Sequence, residues 1–111
     1  MKEVVIALVA VSFAGVAHAQ SSVTDKQFLA ASRCSALAAS ENLGKLDTTS
    51  LEAFLSKESA GRKPSVRVSA TSEMIATRRK ADTADGAKKA KLLAERQSVC
   101  AGFLTASQAA Q

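Results

Sequence analysis

The chain has 111 residues, of which 47% are hydrophobic and 4% aromatic, and its formal net charge at pH 7 is +5. It contains two cysteines, one proline and one histidine, and neither tryptophan nor tyrosine. A strand-rich domain normally has more β-branched, aromatic and turn-forming residues than this. The composition therefore argues against a β fold and favours helices.

Residues 1–19 have the pattern of a cleaved secretory signal peptide. Lys2 precedes an uncharged run of 14 residues that ends at Ala17, and Ala17-His18-Ala19 supplies an A-x-A cleavage pattern. As a helix the run would span about 21 Å, which is too short for a bilayer core of about 30 Å. We predict cleavage after Ala19, which removes the histidine, and a periplasmic or secreted protein with no transmembrane span in the mature chain. An uncleaved amphipathic or membrane-anchoring segment is the alternative.

The 92 residues that follow the predicted cleavage point are just enough to bury one hydrophobic core. We predict a single helical domain over residues 20–104. Residues 105–111 are small and polar and are expected to form a frayed tail.

The first predicted helix begins at a capping box. Thr24 and Gln27 have the T-x-x-Q spacing in which each side chain bonds to the backbone N–H of the other residue. No helix breaker follows until Gly44, so we predict a helix from Asp25 to Leu43 that ends at this glycine.

The second predicted helix has the same kind of start, because Thr49 and Glu52 repeat the capping-box spacing. Gly61 and the Pro64 that follows it mark its end. An apolar stripe at i, i+3 and i+4 indicates the buried face: Leu51, Phe54 and Leu55.

The second half of the chain predicts one or two further helices. A third helix is expected from Val66 to about Ala81, with Ala70, Met74 and Ile75 facing inward; a brief extended stretch over residues 66–68 is the alternative for its start. The sequence DTADG at residues 82–86 predicts a turn, although a single bent helix over residues 66–104 is the alternative to two. The last helix, from Ala87 to Leu104, presents a wide apolar face: Leu92, Leu93, Val99, Cys100, Phe103 and Leu104.

The two cysteines, Cys34 and Cys100, are expected to pair, because small exported proteins commonly contain disulfides. A structural zinc site would need four ligands, and the 65 residues between the cysteines exclude a C-x-x-C redox motif. A disulfide would join the first helix to the last. We therefore predict an all-α fold, a small three- to four-helix bundle with one disulfide between its first and last helices.

The mature chain lacks the residues that most enzyme mechanisms use. Without histidine there is no imidazole base for a serine or cysteine nucleophile, and there is no S-x-x-K motif or phosphate-binding glycine loop. The sequence Asp82-x-x-Asp85-Gly86 lacks the 12-residue pattern of a calcium loop. We predict a non-enzymatic protein with no catalytic, cofactor-binding or metal-binding residues and no cofactor.

Positive charge is concentrated in one segment. Residues 61–91 hold nine Lys and Arg against three Asp and Glu, a net charge of +6, whereas the rest of the mature chain has a net charge of −1. Two basic groups flank the predicted turn and form a candidate interaction patch, with a solvated surface as the alternative. The patch residues are Arg78, Arg79, Lys80, Lys88, Lys89 and Lys91.

These features predict a small exported binding protein that docks an anionic component of the bacterial envelope or an acidic protein. Nucleic acid is not expected as a partner, since no base-stacking aromatics accompany the basic residues. An accessory subunit or inhibitor of an envelope machine is one alternative. In size, helical content and a single long-range disulfide the chain is also similar to the small periplasmic acid-stress chaperones, although no motif matches residue by residue. The oligomeric state is left open.

Overall fold

The computed structural model describes residues 23–104, and every regular element in this range is helical. The predicted all-α fold, with a disulfide between the first and last helices, is confirmed. The predicted signal peptide and the predicted C-terminal tail lie outside the described residues. The four helices are α1 (Asp25–Ala39), α2 (Thr49–Ala60), α3 (Pro64–Thr83) and α4 (Gly86–Ser98), and one further helical turn spans residues 101–104.

α1 is the central helix of the bundle. It packs most extensively against α3 and also contacts α2 and α4. Its N-terminal capping box is confirmed, since Thr24 Oγ1 accepts from Gln27 N at 3.1 Å and Gln27 Oε1 accepts from Thr24 N at 2.9 Å. Most of its buried side chains are small, which lets the neighbouring helices approach closely. These buried residues are Phe28, Ala31, Ser32, Cys34, Ser35, Ala36, Leu37 and Ala38.

α1 ends at Ala39, four residues before the predicted end at Leu43. Ser40 already has an extended backbone, and its hydroxyl donates to a carboxylate near the end of α3. Asn42 Nδ2 donates to two carbonyl oxygens at the end of α3, at 2.8 and 2.7 Å. These bonds give partners to carbonyl groups that the end of α3 would otherwise leave unpaired. We infer that they hold residues 40–42 outside α1, although the local sequence favours a longer helix.

α2 does not begin at the predicted capping box of Thr49 and Glu52. The first helical residue is Thr49 itself, and Asp47 Oδ1 accepts a hydrogen bond from its backbone N at 3.0 Å. An aspartate two residues before the helix therefore satisfies one of the free N–H groups. The predicted end at Gly61 is confirmed. The predicted apolar stripe faces the core, with Leu51 and Leu55 buried and Phe54 packed against them.

α3 begins at Pro64, so the expected alternative of an extended stretch over residues 66–68 is not observed. Proline fits the first turn of a helix because the N–H group that it lacks has no partner there. Ala70 is buried as predicted, but the prediction for Ile75 is wrong, since it is 55% exposed. The inward position is taken by Thr77, which is 1% exposed and accepts a hydrogen bond from Arg33 on α1.

The helical conformation is interrupted between α3 and α4, so the second half of the chain contains two helices rather than one bent helix. Ala84 and Asp85 have extended backbones, and Gly86 starts α4 with a φ of +50°. α4 stops at Ser98, earlier than the predicted end at Leu104. Val99 is 61% exposed, which contradicts its predicted place on the apolar face.

The buried side chains form two clusters along α1. One cluster lies against α2 and the first half of α3, with Phe28, Leu51 and Leu55 as its large members. The other surrounds the disulfide and includes Leu37 and Leu43, with Leu92 and Leu93 of α4 packed against it. None of the residues in Gly86–Ser98 is itself buried. α4 is therefore attached to the bundle by the disulfide, by polar contacts and by these two partly buried leucines.

Candidate functional site

The disulfide lies at the end of the bundle where α1, α3 and α4 meet. Cys34 belongs to α1, and Cys100 follows the end of α4 by two residues; their Cα atoms are 5.4 Å apart. The predicted pairing is confirmed. The two residues are 1% and 0% exposed, respectively. This burial supports a structural bond rather than one that exchanges with a redox partner.

Arg33, next to Cys34 in the chain, links three helices through its guanidinium. Its Nε and Nη2 both donate to Glu95 on α4, the latter at 2.9 Å. Its Nη1 donates to Glu73 at 3.2 Å and to Thr77 at 3.1 Å, both on α3. A forked bond of this kind fixes direction as well as distance. Arg33 therefore sets the position of α4 relative to α1 and α3.

The charges of this network stabilise one another. The hydrogen bonds from Arg33 lower the pKa of Glu95 below its ordinary value, and the positive charges of Lys80 and Lys91 lower it further. The hydrogen bond to Glu95 in turn raises the pKa of Arg33. Both groups are therefore ionised at neutral pH, and the negative charge of Glu95 is already committed to Arg33.

A cavity of about 460 Å³ lies beside this network, at the turn between α3 and α4. Three lysines of the predicted patch line it: Lys80 near the end of α3, and Lys88 and Lys91 in the first half of α4. We call this site the lysine cavity. Arg33, Asp85, Leu92 and Glu95 complete its charged and apolar lining. Within residues 23–104, none of the three lysines forms an ion pair.

The other three residues of the predicted patch lie away from the lysine cavity. Arg78 and Arg79 line a neighbouring, more open groove between α1 and α3, which shares Thr83 with the lysine cavity, and Arg78 forms an ion pair with Asp82 at 3.1 Å. Lys89 lines neither the groove nor the cavity. The structure thus brings together half of the predicted patch and directs the other half elsewhere.

Helical geometry explains this division. Lys88 and Lys91 are three residues apart and share one face of α4, whereas Lys89 is rotated about 100° from Lys88. The same rotation separates Lys80 from Arg79. This spacing is visible in the sequence and could have divided the patch. The part played by Arg33 could not be found in this way, because Glu73 and Glu95 are 40 and 62 residues further along the chain.

The described part of the chain offers little other chemistry. Residues 23–104 contain no group of three or more His, Cys, Asp or Glu side chains that could hold a metal ion. None of the helices described is long and apolar enough to cross a membrane. Comparisons of the chain with protein-family models, curated proteins and solved structures find no match.

Proposed function

We propose that this chain is an exported, non-enzymatic binding protein that docks an acidic component of the bacterial envelope through its basic surface. One observation carries the proposal: Lys80, Lys88 and Lys91 face one cavity and form no ion pair within residues 23–104. Lysines that serve only as a solvated surface have no reason to converge on a concave site. A concave site with an excess of positive charge concentrates anions.

Two further features support export. The first 19 residues have the pattern of a secretory leader, and the buried disulfide is of the kind that persists in an oxidising compartment. The lack of histidine after residue 18 supports a non-enzymatic role, because it leaves no imidazole for acid–base or nucleophilic chemistry. Binding is therefore the activity that these residues support best.

The first experiment measures binding of the exported protein to bacterial envelope extracts and to vesicles of phosphatidylglycerol and phosphatidylcholine. One variant replaces Lys88, Lys89 and Lys91 with glutamine. The matched control replaces three exposed lysines elsewhere with glutamine: Lys26, Lys45 and Lys57.

Both variants lose three positive charges. Lys89 is half-buried whereas the control lysines are exposed, so circular dichroism must show that both variants are folded. We expect at least tenfold weaker binding for the α4 variant and less than a threefold change for the control. Equal weakening by both variants, or no binding to extract or vesicle by the unmodified protein, would refute the proposed function.

A second candidate function, an acid-stress chaperone, is supported by the composition of the contacts that hold α4. The bonds from Arg33 to Glu95 and Glu73 require ionised carboxylates, and none of the residues of α4 is buried. Protonation in acid would remove the ionic part of the attachment of α4, while the disulfide remains, and would loosen the packing of α4 over the apolar cluster. This function predicts suppression of client aggregation at pH 3 but not at pH 7. A fully cooperative fold with no client effect at pH 3 would eliminate it.

A further inference from the structure

We infer that the lysine cavity binds a phosphate ester that carries two negative charges, such as a phosphomonoester head group. The inference rests on the proposed function and deepens it, because it names the chemical class of the acidic component and the residues that recognise it. Four properties of the cavity carry the inference: its net charge, its donors, the occupation of Arg33 and its size.

The lining of the cavity has an excess of positive charge. Arg33 and Glu95 neutralise each other through two hydrogen bonds. Asp85 is the one carboxylate that remains, and it faces three lysines. Those lysines come from two helices, so they surround the space rather than follow one surface. The residues that line the cavity have a formal net charge of +2, which favours an anion, and Glu73, which shares Arg33, lies outside the lining.

The kind of donor favours phosphate over carboxylate. Each lysine ammonium is a compact positive charge with three N–H donors that can be directed freely. Three ammonium groups around one space suit the three terminal oxygens of a phosphomonoester. A carboxylate is best bound by the planar fork of an arginine, but the fork of Arg33 is already occupied by Glu95 and Glu73. The cavity therefore offers lysine ammonium groups but no free arginine fork for two parallel hydrogen bonds to a planar anion.

The size of the cavity implies that the phosphate belongs to a larger molecule. A volume of about 460 Å³ lies within the range of sites for small organic molecules. Leu92 and Ala84 add an apolar part to the lining, which a sugar or glycerol body can contact. Such a phosphate ester can be free in solution or part of a lipid head group, and the chemistry of recognition is the same for both.

The decisive test compares two triple variants with the same net charge. The cavity variant carries Lys80→Gln, Lys88→Gln and Lys91→Gln. The off-cavity variant carries Arg78→Gln, Arg79→Gln and Lys89→Gln. The soluble probe is glucose 1-phosphate, with succinate as a dianionic carboxylate control, and binding is followed by NMR titration. The lipid probe is a vesicle of phosphatidic acid and phosphatidylcholine, compared with phosphatidylglycerol vesicles of equal surface charge.

We expect the unmodified protein to bind glucose 1-phosphate at least tenfold more tightly than succinate, or phosphatidic acid at least tenfold more tightly than phosphatidylglycerol. The first result identifies a free ester and the second a lipid head group, and either supports the inference. The cavity variant should lose at least tenfold in affinity, whereas the off-cavity variant should change less than threefold. Circular dichroism checks that both variants are folded, and the single exposed substitution Lys88→Glu provides a second, less disruptive variant.

The failure of this inference can be distinguished from the failure of the proposed function. If the cavity variant and the off-cavity variant weaken the binding of the phosphate probes equally, charge alone drives binding. This result overturns the phosphate site but leaves the docking of an acidic partner intact. Binding to envelope extract that depends on the α4 lysines, without selectivity for either phosphate probe, has the same meaning. Absence of all binding overturns both.

Discussion

Removal of the disulfide should destabilise the protein by about 4 kcal/mol. Cys34 and Cys100 are 66 residues apart in the sequence, and in the chain-entropy model a closed loop of this length lowers the entropy of the unfolded chain by an amount worth about 4 kcal/mol at 25 °C. Small domains are commonly stable by about 5–15 kcal/mol in total. The double variant Cys34→Ala/Cys100→Ala should therefore lose a large part of its free energy of unfolding.

The loss should be greatest in α4. None of the residues in Gly86–Ser98 is buried, and besides the disulfide the helix is held by partly buried leucines, by Arg33 and by Arg96. Arg96 Nη1 and Nη2 donate to the carbonyl oxygens of Gly44 and Leu43 at 2.8 and 2.9 Å. These contacts orient α4 without burying it. Without the covalent bond, local opening of α4 should cost less free energy than unfolding of α1 to α3.

Urea denaturation followed by circular dichroism measures the first effect, and amide hydrogen exchange residue by residue measures the second. Reduced and oxidised forms of the unmodified protein provide a control in which the side chains at both positions are unchanged. A loss of less than 1 kcal/mol would refute the entropic argument. Exchange that accelerates equally in all four helices would refute the special dependence of α4 on the disulfide.

Three further predictions concern single side chains. Because the hydrogen bonds from Arg33 lower the pKa of Glu95 below its ordinary value, the stabilisation from ionised Glu95 is present at neutral pH and is lost as the pH falls through the lowered pKa of the folded state. Glu95→Gln should therefore cost about 1 kcal/mol at pH 7 and flatten the acid side of the stability profile in a denaturation series. Leu37→Ala should cost about 2–5 kcal/mol, since this side chain is fully buried; a cost below 1 kcal/mol by urea denaturation would contradict the described core. Asn42→Ala removes two hydrogen bonds to the end of α3 and should cost about 1–2 kcal/mol, with faster amide exchange at the α3–α4 turn; unchanged exchange there would count against this role.

The elements of the fold could be predicted from local sequence, but several of their ends could not. The capping box at Thr24 and the stop at Gly61 depend on residues within one turn of the helix, so they are visible in the sequence. The end of α1 depends on bonds between Asn42 and the end of α3, some 40 residues away. Likewise, Asp47 rather than the capping-box threonine Thr49 satisfies the start of α2. Helix ends that are set by tertiary contacts cannot be predicted from the local sequence.

The composition of the candidate site was predictable, and helical spacing could have assigned its residues to different helix faces, but which of these faces meet in space could not be predicted. The six basic residues of the patch stand out because neighbouring segments carry so little net charge. Which of them share a space depends on the rotation of α3 and α4 about their axes, and that rotation follows from how α1 packs between them. Arg33 illustrates the limit, because its nearest neighbours in the chain give no indication of its carboxylate partners.

Two consecutive residues of α1 attach α4 to the bundle. Arg33 forms an ion pair with Glu95, and Cys34 forms the disulfide with Cys100. The two attachments differ in strength. While the thiols remain reduced, α4, which carries Lys88 and Lys91, lacks the covalent attachment and keeps the weaker ionic one. We expect the lysine cavity to reach the described shape only after the disulfide has formed.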